Sequence, residues 1–455
     1  MKFYGRNKEI SILNKIQSNS LKHAQFTVVT GRRRIGKTEL IRHAYGNRPF
    51  LYFFVARRTE KELCESFRRE IESKLGVFLP GEQSNFKDIF KWVMRYSCEH
   101  PVTLVIDEFQ DFRRVDAAIF SEMQREWDEY HARSKINFIV CGSLNTLMNR
   151  IFRDAKEPLY GRETSFLKIA PFPTATLKAI LSDHAPKYTP DDLLALFALT
   201  GGIAKYVALL MDHGVHTREE MIEDMIGEGS IFLEEGRAGL IEEFGRDYGT
   251  YFSILSAIAS GRTGRAEIEN AVGVGDLGGY LQRLEKDYEI IVRCQPLFAK
   301  PLAKNLRYRI RDNFYLFWFR FIARHSAAVE LGAFGQLHEI VRRDWNAFSG
   351  FALERYFAAK LAETGRYTQI GGWWNRKGEN EIDLIAENEL EHVATFYEIK
   401  RNADNISLPT LESKRDAFLR ATGEYSAWQT PCRPLSLAYN LISCCENSEF
   451  LGTYA

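Results

Sequence analysis

A glycine-rich segment near the N-terminus has residue types suited to binding nucleotide phosphates. Residues 31–38 read GRRRIGKT and fit the pattern G-x-x-x-x-G-K-[ST]. Glycines let the backbone approach phosphate oxygens closely, and N–H groups at a helix N-terminus attract anions. Lys37 is expected to reach the β- and γ-phosphates of ATP, and Thr38 is expected to hold Mg²⁺. The three arginines either add positive field at the phosphates or point to solvent. The predicted cofactor-binding set is Gly31, Arg32, Arg33, Arg34, Ile35, Gly36, Lys37 and Thr38.

Two later segments place polar residues at the ends of apolar runs. The run before Asp107 and Glu108 predicts a buried parallel strand, whose carboxyl end faces the ligand crevice of an α/β sheet. Asp107 is expected to hold Mg²⁺, and Glu108 is expected to polarise the attacking water. Another run ends near Ser143, which either senses the γ-phosphate or is a turn serine. A solvated strand end is the alternative for the acidic pair, but the glycine-rich segment favours the catalytic interpretation.

A second group of charged residues lies near the C-terminus. Glu398 and Lys400 are two positions apart on a predicted strand, so they share a face, and Asp383 ends the preceding strand. Two carboxylates and the carbonyl of Ile399 would make an oxygen-rich Mg²⁺ site, which can generate a hydroxide nucleophile. Lys400 would orient the water or neutralise a scissile phosphate, and Glu354 could supply a third carboxylate. The alternative is a solvated sheet edge with an ion pair.

The elements that must position the first group lie in residues 1–170. Strand patterns alternate there with helical patterns, which predicts an α/β core with a parallel sheet and helices on both faces. Residues 171–245 are helical and are expected to form a lid. The predicted strands are Phe26–Thr30, Phe50–Val55, Thr103–Ile106 and Ile136–Cys141, and the predicted helices include Glu60–Leu75, Phe86–Ser97 and Ile119–Tyr130.

Residues 246–325 are expected to form a winged helix-turn-helix, because three short helical patterns precede two short strands. The helices are Tyr251–Ser260, Ala266–Val272 and Leu277–Tyr288, and the strands are Ile290–Arg293 and Arg307–Ile310. A basic stretch without Asp or Glu would suit a DNA backbone; a solvated wing and a module for protein contact are the alternatives. Its six basic residues are Arg293, Lys300, Lys304, Arg307, Arg309 and Arg311.

Residues 326–455 carry the second charged group and predict a small α/β domain of order α-β-β-β-α-β. The predicted helices are Phe348–Leu361 and Leu411–Arg420, and the predicted strands are Gln369–Trp374, Ile382–Ala386, Thr395–Lys400 and Leu435–Leu441.

Composition limits the class of protein. The 455 residues carry a net charge of only +1, so a nucleic-acid surface requires local clusters of charge. Seven cysteines without a C-x-x-C pair favour a reducing cytoplasm. The N-terminus lacks the apolar core of a signal peptide, and the aromatic run Phe314–Ile322 is too short to span a bilayer. A cytoplasmic protein without membrane contact is expected.

Seven short segments carry a resemblance to a known family: Phe3–Glu9, Gly31–Thr38, Asp107–Glu108, Gly142–Ser143, Leu159–Arg162, Pro171–Phe172 and Thr200–Tyr206. Together they resemble the archaeal-type ATPase family within the AAA+/STAND group of P-loop ATPases. Ala204 stands where that family usually has proline, so the turn there is expected to differ. Two further segments, Tyr308–Asp312 and Phe317–Phe321, resemble the linker into a domain called DUF234, which is similar to PD-(D/E)xK nucleases.

The resemblance implies an ATP-binding module, a winged-helix module and a nuclease-like module in one chain. By position, Asp383, Glu398 and Lys400 match the nuclease core, and Glu354 matches its helix glutamate. Arg162 is then an arginine finger, which acts between copies in many homo-oligomers, or a sensor arginine. The hypothesis is an ATP-hydrolysing protein coupled to DNA binding and Mg²⁺-dependent phosphodiester cleavage. The alternatives are a nucleotide-dependent switch or regulator that binds DNA or protein without cutting, and a transcription regulator.

Overall fold

The structure is a computed structural model that describes residues 1–46, 48–79, 81, 85–143, 145–245, 248–299, 305–375 and 379–440. The chain divides into two compact units. One unit comprises residues 4–171, and the other comprises residues 172–455 together with residues 1–3.

The unit of residues 4–171 is a five-stranded parallel sheet with flanking helices, as predicted. Its strands are β1 (Gln25–Thr30), β2 (Leu51–Phe54), β3 (Val102–Asp107), β4 (Ile136–Gly142) and β5 (Ser165–Lys168). Its helices are α1 (Asn7–Ser20), α2 (Lys37–Tyr45), α3 (Glu60–Leu75), α4 (Phe86–Glu99), α5 (Phe112–Val115), α6 (Ile119–Tyr130) and α7 (Asn145–Arg153).

The order of the strands, β2-β3-β4-β1-β5, decides which residues meet at the edge of this sheet. Because β4 lies between β1 and β3, the carboxyl ends of these three parallel strands are neighbours. Every residue of β3 and β4 is buried, as expected for strands that are covered on both faces. The four predicted strands agree with the structure within one residue at each end, whereas the short and half-exposed β5 was not predicted.

The second unit begins with helices and contains no strand before residue 291 in its described part. These helices are α8 (Thr174–His184), α9 (Pro190–Thr200), α10 (Ala204–Asp212), α11 (Arg218–Ile226) and α12 (Phe232–Phe244). Three helices and a two-stranded antiparallel sheet follow, in the predicted order: α13 (Tyr248–Ala259), α14 (Arg265–Val272), α15 (Gly278–Lys286), β6 (Ile291–Cys294) and β7 (Arg307–Ile310).

The arginines of this two-stranded sheet do not form a uniform solvated stripe. The guanidinium of Arg307 donates to both carboxylate oxygens of Glu381, at 2.7 and 3.2 Å, and lies 4.4 Å from the ring centre of Trp374. Arg293 lies 3.6 Å from Glu285. Lys300 and Lys304 of the predicted basic stretch lie outside the described residues. At least two of its six basic residues are therefore engaged within the unit.

The predicted aromatic run forms α16 (Asn313–Phe317) and a π-helical turn at Trp318–Ile322, and is followed by α17 (Ser326–Glu330). Most of its side chains are buried, so this run is a packing element. In the described residues, no helix is long and apolar enough to cross a membrane.

The remaining described residues adopt the predicted α-β-β-β-α-β order, and a short helix follows. The elements are α18 (Phe334–Glu363), β8 (Gln369–Trp374), β9 (Glu381–Asn388), β10 (Val393–Lys400), α19 (Leu408–Thr422), β11 (Cys432–Ser436) and α20 (Leu437–Asn440). The sheet order is β11-β10-β9-β8, with β11 parallel to β10 and the other pairs antiparallel. The predicted final strand, 435–441, was placed too late, because the chain is helical from Leu437 and residue 441 lies outside the described part.

Candidate active sites

The loop between β1 and α2 adopts a conformation that only particular residues allow. Gly31 and Gly36 have φ angles of 149° and 93°, which L side chains rarely adopt. A Cβ atom at Gly31 would lie 2.7 Å from the carbonyl oxygen of Ile169, so a larger residue would displace the backbone. Arg34 also has a positive φ, 66°. The loop thus has the close, strained path of a phosphate cradle.

Lys37 is held at this loop by the backbone. Its ammonium donates to the carbonyl oxygens of Gly31, at 2.9 Å, and Arg32, at 3.2 Å. The side chain is buried, so carbonyl groups of the loop, rather than water, surround the ammonium charge. A phosphate anion in the loop would meet an ammonium that is already oriented.

Thr38 and Asp107 come together although 69 residues separate them. The Thr38 hydroxyl donates to Asp107 Oδ2 at 2.8 Å, and the Tyr52 hydroxyl donates to the same oxygen at 2.6 Å. Burial and the neighbouring Asp107 raise the pKa of Tyr52, which keeps its proton available for this bond. Tyr52 was missed from the sequence, since only the parallel pairing of β2 with β3 brings it to Asp107.

Glu108 lies at the end of β3 with a left-handed φ of 53°. Its Oε2 accepts a hydrogen bond from the Ser143 hydroxyl at 2.9 Å and another from the Gln110 amide at 2.6 Å. Ser143 reaches Glu108 because β4 is adjacent to β3. Gln110 was also missed, although it is buried two residues after Glu108. Its amide and the Ser143 hydroxyl fix the position of the carboxylate.

Arg6 forms hydrogen bonds that connect the loop 31–38 to the segment after β5. Its guanidinium donates to the carbonyl oxygens of Ala170, at 2.7 Å, and Ile35, at 3.3 Å. Burial lowers the pKa of Arg6, although the nearby carboxylate of Glu9 opposes this effect. The sequence showed Arg6 only as part of a family-like segment, without a role.

Arg162 contacts a different set of residues. Its guanidinium forms a two-pronged ion pair with the carboxylate of Asp128 (2.9–3.3 Å) and donates to the carbonyl oxygens of Pro158 and Tyr160. Within one chain, therefore, Arg162 organises a surface turn.

At the C-terminal domain, the predicted strand pair brings Asp383, Glu398 and Lys400 together. The Lys400 ammonium lies 3.3 Å from Asp383 Oδ2 and 3.7 Å from Glu398 Oε1, and the backbone N–H of Ile399 donates to Asp383 Oδ2 at 2.8 Å. Glu398 is buried. Burial acts to lower the pKa of Lys400, but the charge of Asp383 and the hydrogen bond to it outweigh this, so the pKa is raised.

Glu354 completes this group from α18. Burial, reinforced by the charge of Asp383, raises its pKa to about 7. Glu354 and Lys400 line one open cavity of about 670 Å³, which is bordered by α18, the end of β10, and the residues Arg401, Asn402, Asn405 and Leu437. A volume of this order is typical of ligand pockets. Among the described residues, however, no set of three or more His, Cys, Asp or Glu side chains is arranged to hold a metal ion.

Two families match separate parts of the chain. Residues 3–210 match a family described as an ATPase domain predominantly from Archaea. Residues 318–411 match DUF234, a family of archaeal and bacterial proteins of unknown function.

Relatives and solved structures extend this comparison. An uncharacterized protein of Methanocaldococcus jannaschii is 31% identical over 408 residues, which cover 88% of this chain and 87% of the relative. The Walker-type ATPase PABY2304 of Pyrococcus abyssi shares the fold with a TM-score of 0.53 at 20% identity, over 70% of this chain and 96% of that chain. The ORC2 protein of Aeropyrum pernix, solved as ADPNP–ADP complexes, gives a TM-score of 0.48 at 13% identity, over 72% and 96% of the two chains. The phosphate loop and parallel sheet agree with the family match over residues 3–210, and the chain belongs to the archaeal-type P-loop ATPase family, with a C-terminal DUF234 domain.

Proposed function

We propose that this protein binds and hydrolyses ATP with Mg²⁺ at the loop 31–38, and that its C-terminal domain cleaves phosphodiester bonds in DNA. The observation that supports the second activity is the meeting of Asp383, Glu398 and Lys400 beside a cavity that Glu354 also lines. The scattered cysteines favour the cytoplasm as the compartment, and the described ones are unpaired.

In the ATP site, each side chain has a role that its contacts support. Lys37 would bind the β- and γ-phosphates, and the loop backbone would donate N–H groups to them. Thr38 Oγ1 and Asp107 Oδ2 already face each other, as two oxygens sharing a magnesium ion and its waters would. Glu108 would accept a proton from the attacking water, and Ser143 holds that carboxylate in place.

Arg162 is proposed to act between copies of the chain. Its ion pair with Asp128 is exposed, so the pair contributes little stability and can open at low cost. A γ-phosphate of a neighbouring copy would offer the guanidinium a stronger acceptor than the Asp128 carboxylate. This role requires a homo-oligomer, and a loss of ATP turnover on dilution would support it.

The donors of the C-terminal site fit a magnesium ion. Asp383 and Glu398 supply carboxylate oxygens, the Ile399 carbonyl is a further donor, and Mg²⁺ usually keeps several waters, so a third carboxylate is not required. A bound ion would supply a nucleophilic hydroxide and stabilise charge on the phosphate. Lys400 would neutralise the scissile phosphate, and Glu354, with a pKa of about 7, can hold or release a proton near neutral pH.

DNA is the proposed substrate because two arginines bring positive charge to carboxylates at and beside this site. Arg307 contacts Glu381 at the start of β9, and the charge of Arg309 acts on Glu354. The helices α13–α15 with the β6–β7 sheet would place the nucleic acid.

The experiment is a cleavage assay on labelled DNA with Mg²⁺ or Mn²⁺, with and without ATP. We expect cleavage by the wild type and a loss of at least about a hundredfold in Asp383→Ala and Lys400→Ala. The matched control is Asp344→Ala, which removes a carboxylate from the exposed pair with Arg343 on the same helix as Glu354.

Cleavage that persists in Asp383→Ala would show that the assigned site is wrong. Intact DNA under all metals, together with an ATP-dependent change in oligomeric state, would support the nucleotide-dependent switch instead. Lys37→Ala should abolish nucleotide binding under both functions.

A further inference from the structure

Arg401, directly after Lys400, connects the C-terminal cavity to the helices that precede it in the chain. Its Nη1 donates to the Ser349 hydroxyl on α18 at 2.7 Å, and its Nη2 donates to Asp191 Oδ1 on α9 at 2.8 Å. Arg401 itself lines the cavity. One side chain thus joins α9, α18 and the end of β10.

Asp191 is held in turn by a second arginine. The guanidinium of Arg218, on α11, donates to Asp191 Oδ2, and the backbone N–H of Arg218 donates to the neighbouring Asp192 at 2.7 Å. The carboxylate of Asp191 is therefore shared by two guanidinium groups and lies in the first turn of α9. Both Asp191 and Arg401 are largely buried, with about a fifth of each side chain exposed.

A second set of hydrogen bonds connects α8 to α18 of the C-terminal domain. The carboxylate of Glu363, at the end of α18, accepts hydrogen bonds from the backbone N–H and the hydroxyl of Thr174, both at 2.7 Å. These bonds satisfy donors at the N-terminus of α8. The family match to the ATPase domain runs to residue 210, yet residues 172–210 belong to the same compact unit as the C-terminal sheet.

We propose that Asp191 is a positioning residue for the C-terminal site: it fixes Arg401, and through it the Lys400 end of β10, so that the position of α9 sets the geometry of the cavity. The proposal rests on the cleavage activity proposed above and names its regulation. Helix α9 lies in the part of the sequence that matches the ATPase domain, and Asp191 reaches the end of β10 beside Lys400 through the side chain of Arg401.

The reason why such a tie matters is geometric. Lys400 lies 3.3 Å from Asp383, and a displacement of about 1 Å at a reacting group can lower a rate about a hundredfold. Arg401 directly follows Lys400, the last residue of β10, so releasing Arg401 loosens the end of the strand that carries the ammonium. Partners of this kind typically change activity about 10- to 100-fold when they are removed.

The test compares three variants of the full-length protein. Asp191→Asn keeps the shape of the side chain but removes its charge, and Asp191→Glu restores the charge. Asp224→Asn is the matched control. Asp224 lies on α11, as Arg218 does, but its carboxylate pairs with His213 and does not line the cavity. The measurements are the cleavage kcat and KM, and amide hydrogen exchange of residues 399–407 without substrate.

We expect Asp191→Asn to lower kcat about 10- to 100-fold with little change in KM, and to speed exchange of 399–407 about tenfold or more. Asp191→Glu should recover most of both properties, and Asp224→Asn should resemble the wild type. Exchange and kcat unchanged in Asp191→Asn would overturn the inference.

The exchange measurement tests the role of Asp191 independently of the cleavage activity. If the wild type does not cleave DNA, the exchange measurement alone decides. Faster exchange of 399–407 in Asp191→Asn, but not in Asp224→Asn, would then still support the tie, and equal exchange in all variants would overturn it.

Discussion

Replacing Glu108 with glutamine tests the assignment of the ATP-hydrolysing site most directly. Glu108 Oε2 accepts hydrogen bonds from Ser143 and Gln110. In Glu108→Gln the amide oxygen can accept the same two bonds, so the ground-state arrangement should persist. What is lost is the capacity to take a proton from water. The variant therefore separates proton transfer from folding and binding.

The size of the effect follows from that role. General-base catalysis contributes about 10²- to 10⁴-fold, which corresponds to about 3–5 kcal/mol of transition-state stabilisation. Nucleotide affinity should change little, because the phosphates are bound by Lys37 and the loop backbone rather than by Glu108.

The assay measures ATP turnover and, separately, the binding of a fluorescent ATP analogue. The control is Glu157→Gln, whose carboxylate pairs with Arg113 and Arg150 in the same unit; we expect turnover close to wild type. Turnover in Glu108→Gln above about one tenth of the wild-type rate would refute the assignment of Glu108 as the base. Loss of nucleotide binding in this variant would refute the argument that the amide preserves the site.

Three further outcomes follow from single contacts. Gly31→Ala should abolish nucleotide binding and destabilise the protein by about 1–3 kcal/mol, measured by titration and urea unfolding, because its Cβ would lie 2.7 Å from the Ile169 carbonyl oxygen; normal binding would contradict this. Glu354 has a folded pKa of about 7, above the ordinary carboxyl value, so the native state binds its proton more tightly and stability should fall by up to about 3 kcal/mol as pH rises from about 4.5 to 7. Glu354→Gln should remove that decline in a series of unfolding curves, and an unchanged decline would count against it. Arg307→Ala should lower the free energy of unfolding by about 1 kcal/mol, since it removes both the bidentate pair with the half-exposed Glu381 and the contact with the Trp374 ring; a change below about 0.5 kcal/mol would show that the pair is only a solvated contact.

The fold of residues 4–171 could be predicted well because its signals are local. Buried parallel strands are continuous apolar runs, and α3 begins at a capping box in which Thr59 and Glu62 exchange hydrogen bonds. The short strand β5 carries no such signal, because its residues are only partly buried. Its place beside β1 depends on long-range pairing, which spacing along the chain does not show.

Candidate site residues could be predicted where one sequence motif contains them. They could not be predicted where the tertiary structure brings a residue from elsewhere in the chain to the site. Tyr52 reaches Asp107 from a neighbouring strand, and Gln110 reaches Glu108 around a turn. Neither residue type marks a site on its own. Asp191 is a stronger case, since its contact with Arg401 spans 210 residues.

The basic stretch around β7 shows how the fold changes the meaning of a sequence pattern. A run without acidic residues predicted a surface for a DNA backbone, but Arg307 is bound to Glu381, and the charge of Arg309 partly opposes the rise in the pKa of Glu354. The positive charges of these two arginines lie beside carboxylates of the C-terminal domain, which would otherwise repel a phosphodiester. DNA affinity should consequently depend on fewer charges than the six of the sequence, and the slope of log Kd against log salt should be well below the value of about 5 that six phosphate contacts would give. A slope of 5 or more would mean that Arg307 and Arg309 leave their carboxylates to bind the backbone.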